Sequence, residues 1–541
     1  MALVTLKNLS FTYPNGNHRA LSDISLTIES GAFVTLMGAT GSGKSTLLRL
    51  LKPELRQNGN ITGTALFDGE EITKLSPRDS ARRIGYVAQN PDEQLVTDKV
   101  WHELAFTLEN LGYKRADIAR RVGETAAYFD LEPLMERDTS TLSGGEKQLL
   151  NLAAVMATDP ELLLLDEPTA QLDPIAAARF IDTIHRLNRE TGVTVLICEH
   201  RTEELFPLSD RVIILDHGQL TFDDIPRRVA ESIGCDSSFS AFLPTAARIF
   251  HKVSGRGEIP LTVREGQRFI GQFDNTVRSL SEPKPSDKNE IALSMKNIRF
   301  RYDRNGADIL SDLDLTVYSG EVFALLGANG AGKSTMAAVA AGLRKPYYGK
   351  VALFSKPLKD YKNGSLYQHN LSLLPQDAES VFIRETVKEE LKGCEHILDS
   401  LPFDLSPLSD RHPYDLSGGE RQLVALCKAL STDPRLLIMD EPSKGLDANA
   451  KALLIQVIGQ LKSDGVTVLL ITHDTEFAAL CADRCALFAQ GRIAAADTTE
   501  RFLSGNRFYT TAASRITRAR YDGAYTADRA ARLIEENGGM R

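Results

Sequence analysis

Two stretches of the chain share the spacing G-x-x-x-x-G-K-[ST]: Gly38-Ala39-Thr40-Gly41-Ser42-Gly43-Lys44-Ser45 and Gly327-Ala328-Asn329-Gly330-Ala331-Gly332-Lys333-Ser334. Each follows an apolar run, Phe33 to Met37 or Val322 to Leu326, and the first leads into the amphipathic Thr46-Leu47-Leu48. Strand, glycine-rich loop and helix is an arrangement that turns successive backbone N–H groups around a phosphate chain. The glycines permit the turn, the lysines bring charge toward the β and γ phosphates, and Ser45 and Ser334 offer hydroxyls to Mg²⁺. A nucleoside triphosphate is the expected ligand, held by both loops and by Thr46 and Thr335 just beyond them. Lys44 and Lys333 lie 289 residues apart. A period that long means a duplicated domain, because solenoid repeats run to about 20–50 residues.

Length gives a prior of about three or four domains, and the repeat reduces these to two large units. With 42% apolar composition, each has ample material for a core. A net charge of −9 argues against a nucleic-acid binder working through a broad basic surface. The six cysteines, Cys198, Cys235, Cys394, Cys427, Cys481 and Cys485, have no zinc-ribbon or redox spacing and read as reduced thiols. No apolar run approaches the ~18 residues of a membrane span, and the start, Met1 to Lys7, lacks a signal-peptide layout. Work at a membrane is therefore expected to go through partner subunits.

Each copy opens with an alternating strand pattern, Leu3 to Tyr13 and Leu293 to Tyr302, down to a shared Lys-Asn at Lys7-Asn8 and Lys296-Asn297. The offset between copies is 287 at Gln89 and Gln376 but 274 at Ser143 and Ser417, so the second copy is 13 residues shorter in between. In the first copy that interval reads as helices, Val100 to Leu111 and Ile118 to Leu131. Leu162 to Leu165, Val193 to Cys198, Leu436 to Met439 and Val466 to Ile471 read as fully buried parallel strands of an α/β core. The polar, proline-bearing stretch from Ser279 to Lys288 reads as a tether. The expected boundaries are 1–232 for the first core, 233–278 for a small extension, 279–290 for the linker, 291–500 for the second core and 501–541 for its extension. The extensions echo each other weakly, Thr245-Ala246-Ala247 with Thr511-Ala512-Ala513 and Leu261-Thr262-Val263-Arg264 with Tyr525-Thr526-Ala527-Asp528. Arg518, Arg520, Arg529 and Arg532 read as a solvated helical face.

The chemistry follows the loops. Leu142-Ser143-Gly144-Gly145-Glu146 and Leu416-Ser417-Gly418-Gly419-Glu420 each open a helix and direct a hydroxyl, bare N–H groups and a positive dipole end toward an anion. Each serine stands 23 residues before the aspartate of an Asp-Glu-Pro, Asp166-Glu167-Pro168 or Asp440-Glu441-Pro442, at the end of a buried strand. Two carboxylates there would be costly to desolvate without work to do. Asp166 and Asp440 can share Mg²⁺ with Ser45 and Ser334, and Glu167 and Glu441 can polarise the attacking water. His200 and His473, just past β-branched strands, are expected at the γ-phosphate. Gln89 and Gln376 follow apolar strand ends, where they can meet the ion and the attacking water. Tyr13 and Tyr302 can stack on adenine or pack within a strand, and the first is the expectation.

Loop, Gln, Leu-Ser-Gly-Gly, Asp-Glu-Pro and His in that order, twice, resemble two fused ATPase subunits of the ATP-binding cassette superfamily. The resemblance implies two tandem α/β P-loop cassettes, each with an antiparallel β subdomain and a helical lobe, and ATP with Mg²⁺ as cofactors. It also implies a head-to-tail meeting of cassettes. Each loop would then face the other copy's Leu-Ser-Gly-Gly, and Asp173 and Asp447 match the aspartates that cross between them.

Gln89-Asn90-Pro91-Asp92-Glu93-Gln94, His102-Glu103-Leu104-Ala105-Phe106 with Glu109-Asn110-Leu111-Gly112, and Pro260 to Gly266 are similar to ATPases of energy-coupling-factor importers of vitamins and metal ions. That likeness implies a transmembrane coupling subunit and a substrate-binding membrane subunit as partners, a peripheral place on the cytoplasmic face of the membrane, and no nucleic acid. The second copy departs with Asp377-Ala378-Glu379-Ser380. Asp92 and Gln94 are accordingly expected to face an arginine-bearing coupling helix, with Glu379 doing less. Fused ATPases of sugar importers are an alternative. A soluble twin-cassette translation factor is another, but such proteins resemble this layout with a charged helical linker and Ser-His-Asp-Arg, where this chain has Glu199-His200-Arg201 and Thr472-His473-Asp474.

Overall fold

The computed structural model describes residues 1–14, 19–234, 237–274, 290–398, 401–537 and 539–540; Cys235 and the tether at 279–289 lie outside them. The chain divides into two units, 1–244 and 245–541.

In the first unit, the alternating opening segment is the strand Ala2–Thr12. It pairs antiparallel with Arg19–Glu29 on one side and Asn60–Phe67 on the other, and Glu70–Glu71 completes a four-stranded sheet. The shared Lys-Asn marks a bulge in this strand. Asn8 and Asn297 both take the left-handed backbone (φ 50° and 51°), and the register slips between Lys7 and Ser10 and between Lys296 and Arg299. Asparagine tolerates that conformation better than most residues. Opposite it sits Gly63, where a Cβ would come within 2.2 Å of Asn8 O.

The second sheet has the order Gln219–Asp224, Arg211–Asp216, Phe33–Met37, Thr194–Cys198, Leu162–Asp166, Ile84–Val87, parallel except at the Gln219–Asp224 edge. Its central strands are apolar on both faces because both faces are covered. Leu162 and Leu164 pack with Val4, Phe11 and Leu47, while Leu163 and Leu165 pack with Leu104, Leu150 and Phe180 from the helices of the other side. Leu164 is fully buried, and its truncation to alanine would cost about 2–5 kcal/mol.

The second unit repeats both sheets. Ile291–Phe300 lies between Leu310–Tyr318 and Tyr348–Leu353, and the six-stranded sheet runs Leu371–Leu374, Leu436–Asp440, Thr467–Thr472, Val322–Leu326, Arg484–Ala489, Arg492–Thr498. The missing 13 residues fall in the helical lobe. The first copy has helices Val100–Asn110 and Arg115–Tyr128, and the second, among the described residues, has Val387–Glu390 and Glu395–Leu398.

The echoing extensions come together. Thr245–Lys252 and Val263–Ile270, which follow the first core in sequence, pack in the second unit against Ala512–Thr517 and Ala527–Asn537. Short amphipathic helix pairs cannot bury their apolar faces alone, and here each covers the other. The approach is close at Gly266, whose hypothetical Cβ would lie 3.1 Å from both Ile516 Cγ1 and Cγ2. Gln267 Nε2 donates to Arg515 O at 2.8 Å, Lys252 and Asp528 pair at 2.7 Å, and Phe273–Asp274 forms a small antiparallel ladder with Gly539–Met540. No helix among the described residues is long and apolar enough to cross a membrane.

Candidate active sites

Sheet order explains how residues scattered through the sequence meet. The strands ending at Val87, Asp166, Cys198 and Met37 are successive neighbours with one direction. Their carboxyl ends therefore form one rim, the place where open α/β sheets hold ligands. On that rim the first loop opens a helix at Lys44, with Gly43 in the left-handed region at φ 96°. A Cβ on Gly43 would stand 2.5 Å from Ala20 O. Lys44 Nζ donates to Gly38 O at 2.8 Å and Ala39 O at 2.9 Å, and Lys333 does the same to Gly327 O at 2.8 Å and Ala328 O at 3.0 Å. Tyr13 hydroxyl lies 2.9 Å from Thr46 Oγ1 and Tyr302 hydroxyl 3.1 Å from Thr335 Oγ1. Each ring stands edge-on to a neighbouring phenylalanine, Phe11 or Phe300, and Tyr302 is 59% exposed.

The strand-end acids have an unusual backbone. Glu167 and Glu441 sit at φ 45° and 52°, a region that costs a non-glycine residue of order 1 kcal/mol or more and persists only where surroundings impose it. They are pinned by their own amides, Glu167 N to Cys198 O at 2.9 Å and Glu441 N to Ile471 O at 2.8 Å. In the first site Glu167 is held at both oxygens: His200 Nε2 lies 3.0 Å from Oε1, and Gln89 Nε2 donates to Oε2 at 3.0 Å. In the second, His473 Nδ1 lies 2.9 Å from Glu441 Oε2 and Lys333 Nζ lies 3.5 Å from Oε1. Gln376 is exposed and makes no side-chain hydrogen bond among the described residues. Burial alone would raise the Glu441 carboxyl, but His473 and Lys333 outweigh it and hold the group below the ordinary glutamate range.

Burial raises both Asp166 and Asp440 above the ordinary aspartate range. Ser45 donates to Asp166 Oδ1 at 2.7 Å, and Ser334 acts on the Asp440 carboxyl, lowering its pKa against the effect of burial. Asp440 Oδ1 and Glu441 Oε1 are buried without a hydrogen-bond partner. Buried carboxylate oxygens beside a serine hydroxyl and a phosphate loop fit a hard divalent cation. No cluster of three His, Cys, Asp or Glu side chains forms a metal cage among the described residues.

Ser143 and Ser417 close capping boxes with Glu146 and Glu420 on their own helices, and Gly144, Gly145, Gly418 and Gly419 form the first turns. Asp173 and Asp447 likewise cap helices, accepting from Ala176 N at 2.8 Å and Ala450 N at 2.7 Å.

The expectation for the segment after Gln89 needs correction. Gln94 does not face outward: its Oε1 accepts from Ala88 N and its Nε2 donates to Tyr86 O, both at 3.0 Å, so it braces the segment from within. Asp92 is already paired with Lys147 at 2.5 Å, and Glu379 is paired with Arg421 in the matching place. The acids are thus more alike in the two copies than their sequence contexts imply. What differs is position 94, whose match at offset 287 is the apolar Val381, packed against the core.

Several working residues were not singled out from the sequence. Glu103 accepts from Val96 N and Thr97 N at 3.1 and 2.8 Å, and Glu390 accepts from Ile383 N and Arg384 N. These buried carboxylates tie the segment beyond each glutamine to the helical lobe. Their offset of 287, equal to that of Gln89 and Gln376, was the available signal. Glu199 accepts from Thr169 N at 2.8 Å and His200 N at 3.0 Å, which links the histidine turn to the turn after Glu167.

A model of the family described as ABC transporter matches the chain twice, at 21–170 and 310–444. A putative ABC transporter ATP-binding protein of Bacillus anthracis is 40% identical over 540 residues, covering 97% of each chain. A putative HMP/thiamine import ATP-binding protein of Bacillus subtilis is 32% identical over 501 residues, covering 89% of each. Among solved structures, an archaeal ribosome recycling factor, aABCE1 in complex with the stalk protein aP1, has the same fold at a TM-score of 0.60 with 21% identity, covering 96% of this chain and 98% of that one. With both halves matched and relatives aligned nearly end to end, the chain belongs to the ABC transporter family, as an ATPase built from two fused nucleotide-binding cassettes.

Proposed function

We propose that the chain powers import of the energy-coupling-factor kind from the cytoplasmic face of the cell membrane. Its partners would be a transmembrane coupling subunit and a substrate-binding membrane subunit, and its cargo a vitamin of the thiamine kind or a metal ion. The observation that carries this reading is the 32% identity, over 89% of both chains, to a relative whose printed name is an HMP/thiamine import ATP-binding protein. Exposed apolar side chains beside the glutamine segments support it: Val96 and Trp101 in the first unit and Ile383 in the second. Such groups suit a docked helix better than open water. The likeness to the ribosome recycling factor is one of fold.

In each site the loop amides and lysine would hold the phosphates, and Ser45 with Asp166, or Ser334 with Asp440, would hold Mg²⁺, with Gln89 and Gln376 within its outer reach. When bound, the ion spreads the charge that develops on the transferred phosphoryl group. Glu167 or Glu441 orients the attacking water and takes its proton as its oxygen bonds the γ-phosphorus and the bond from that phosphorus to the departing ADP oxygen breaks. His200 or His473 fixes that carboxylate and lies on the side where the γ-phosphate would sit. Ser143 and Ser417, at bare helix starts, would serve the nucleotide of the opposite cassette. Tyr13 and Tyr302, tethered at their hydroxyls, would stack on adenine.

The test is to reconstitute the full chain with the membrane proteins that co-purify with it and to measure ATP-driven uptake. Uptake that is lost in the Glu167→Gln and Glu441→Gln variants while ATP still binds supports the reading. ATPase activity stimulated by ribosomes, with no membrane protein co-purifying, contradicts it.

A further inference from the structure

The two strand-end aspartates have matching places but different surroundings on the side away from the loop serine. Asp166 is satisfied at both oxygens: Ser45 donates to Oδ1 at 2.7 Å, and the Tyr86 hydroxyl donates to Oδ2 at 3.0 Å. Arg49, one turn beyond Ser45 on the loop helix, places its charge near Tyr86 and Asp166. Asp166 is 4% exposed, so these contacts act where water screens little. In the second copy, the offsets of 287 and 289 put Leu373 and Ala338 at the positions of Tyr86 and Arg49. Neither carries a polar group that could hydrogen-bond a carboxylate. The second site has instead Lys444, whose charge acts on Asp440, where the first copy has Ala170.

We infer that Tyr86 is a positioning residue that presets the Asp166 carboxylate for Mg²⁺, and that the two sites consequently bind the ion with different affinities, the first more tightly. A carboxylate fixed by an outer hydrogen bond meets the ion already oriented, and removing such a partner typically lowers metal affinity about 10- to 100-fold. Asp440 must find its orientation as the ion arrives, beside a tethered cation that opposes it. The inference rests on reading Asp166 and Ser45 as ion ligands.

The experiment uses the full chain carrying Glu167→Gln and Glu441→Gln to stop turnover, loaded with ATP. Bound Mn²⁺ is followed by electron paramagnetic resonance as a stand-in for Mg²⁺, and ATP affinity is measured separately in EDTA. Two classes of Mn²⁺ site are expected. Adding Tyr86→Phe should weaken the tighter class about 10-fold or more, with ATP affinity in EDTA unchanged, and Leu373→Ala should shift neither class. If Asp166→Asn removes the tighter class while Tyr86→Phe leaves it intact, the inference fails and the ligand assignment stands. A Tyr86→Phe variant that loses ATP affinity equally with and without metal has only a structural defect, which also overturns it. Asp166→Asn without effect on Mn²⁺ overturns the ligand assignment and the inference together.

Discussion

The first and second cassettes share a fold, a rim and a motif order, yet they stabilise the same charges by different means. Around the strand-end acids, the first places Tyr86 on Asp166, and Gln89 with His200 on Glu167. The second places Lys333 and His473 on Glu441, and Lys444 near both acids. The helical lobes repeat the contrast. Glu103 is satisfied by amides and the Thr97 hydroxyl, while Glu390 adds an ion pair to Lys428 at 2.5 Å, and Lys428 takes the place of Ala154. A duplicated domain can thus keep its geometry while changing the partners of its buried acids. The expected consequence is a difference in response to pH, salt and metal.

The largest effect expected is on hydrolysis itself. Glu167→Gln and Glu441→Gln should each slow single-turnover ATP cleavage about 10²- to 10⁴-fold at its own site, leaving ATP binding intact. An unchanged burst at the second site in Glu441→Gln would break the equivalence of the two bases.

Next is stability in the lobes. Lys428→Met leaves Glu390 buried without its cation, at a cost of about 1–3 kcal/mol in denaturant unfolding of the full chain. Thr97→Val, which removes one neutral partner of Glu103, should cost about 1 kcal/mol. Burial raises the Glu390 carboxyl, but Lys428 and the two amides outweigh it and hold the group below its ordinary value. Its contribution is therefore complete above the unfolded glutamate pKa of about 4.3 and is lost as pH falls through the lower folded value. Lys428→Met should flatten that acid limb, and an unaltered limb would contradict the pairing.

The fold and most of the rim were legible from the sequence because both rest on local pattern repeated twice. Glycine spacing, apolar strand runs and the Asp-Glu-Pro ends are short-range signals, and the echo of Thr245-Ala246-Ala247 in Thr511-Ala512-Ala513 identified two segments that pack on each other. Partners set by tertiary contact were not legible. Tyr86 looks like any strand tyrosine until the neighbouring strand brings Asp166 to its hydroxyl, and Gln94 looks outward until its amide is seen bridging Ala88 and Tyr86. Asp92 misled for the same reason, since Lys147 lies 55 residues away in sequence.

Smaller effects sharpen the comparison further. Lys444→Ala should tighten Mg²⁺ binding at the second site by a few-fold, about 1 kcal/mol or less at a partly screened distance, and Ala170→Lys should weaken the first site similarly. Magnesium titration of nucleotide binding reads both, and equal responses from the two changes in one direction would refute the role of the lysine charge. The smallest effect is at the surface pairs. Asp92→Ala and Glu379→Ala should each cost under about 1 kcal/mol of stability, and a difference between them in uptake by the reconstituted complex would locate docking asymmetry in the acids rather than at Gln94 and Val381.

The central claim is that one chain holds two competent, chemically distinct ATP sites. The most direct measurement is the number of nucleotides retained per full chain carrying both Glu167→Gln and Glu441→Gln after rapid gel filtration, across a range of Mg²⁺ concentrations. The account predicts two ATP per chain at saturating Mg²⁺, the second lost at a higher ion concentration than the first as Mg²⁺ is lowered. A plateau at one ATP per chain, or two lost together at a single concentration, would contradict it.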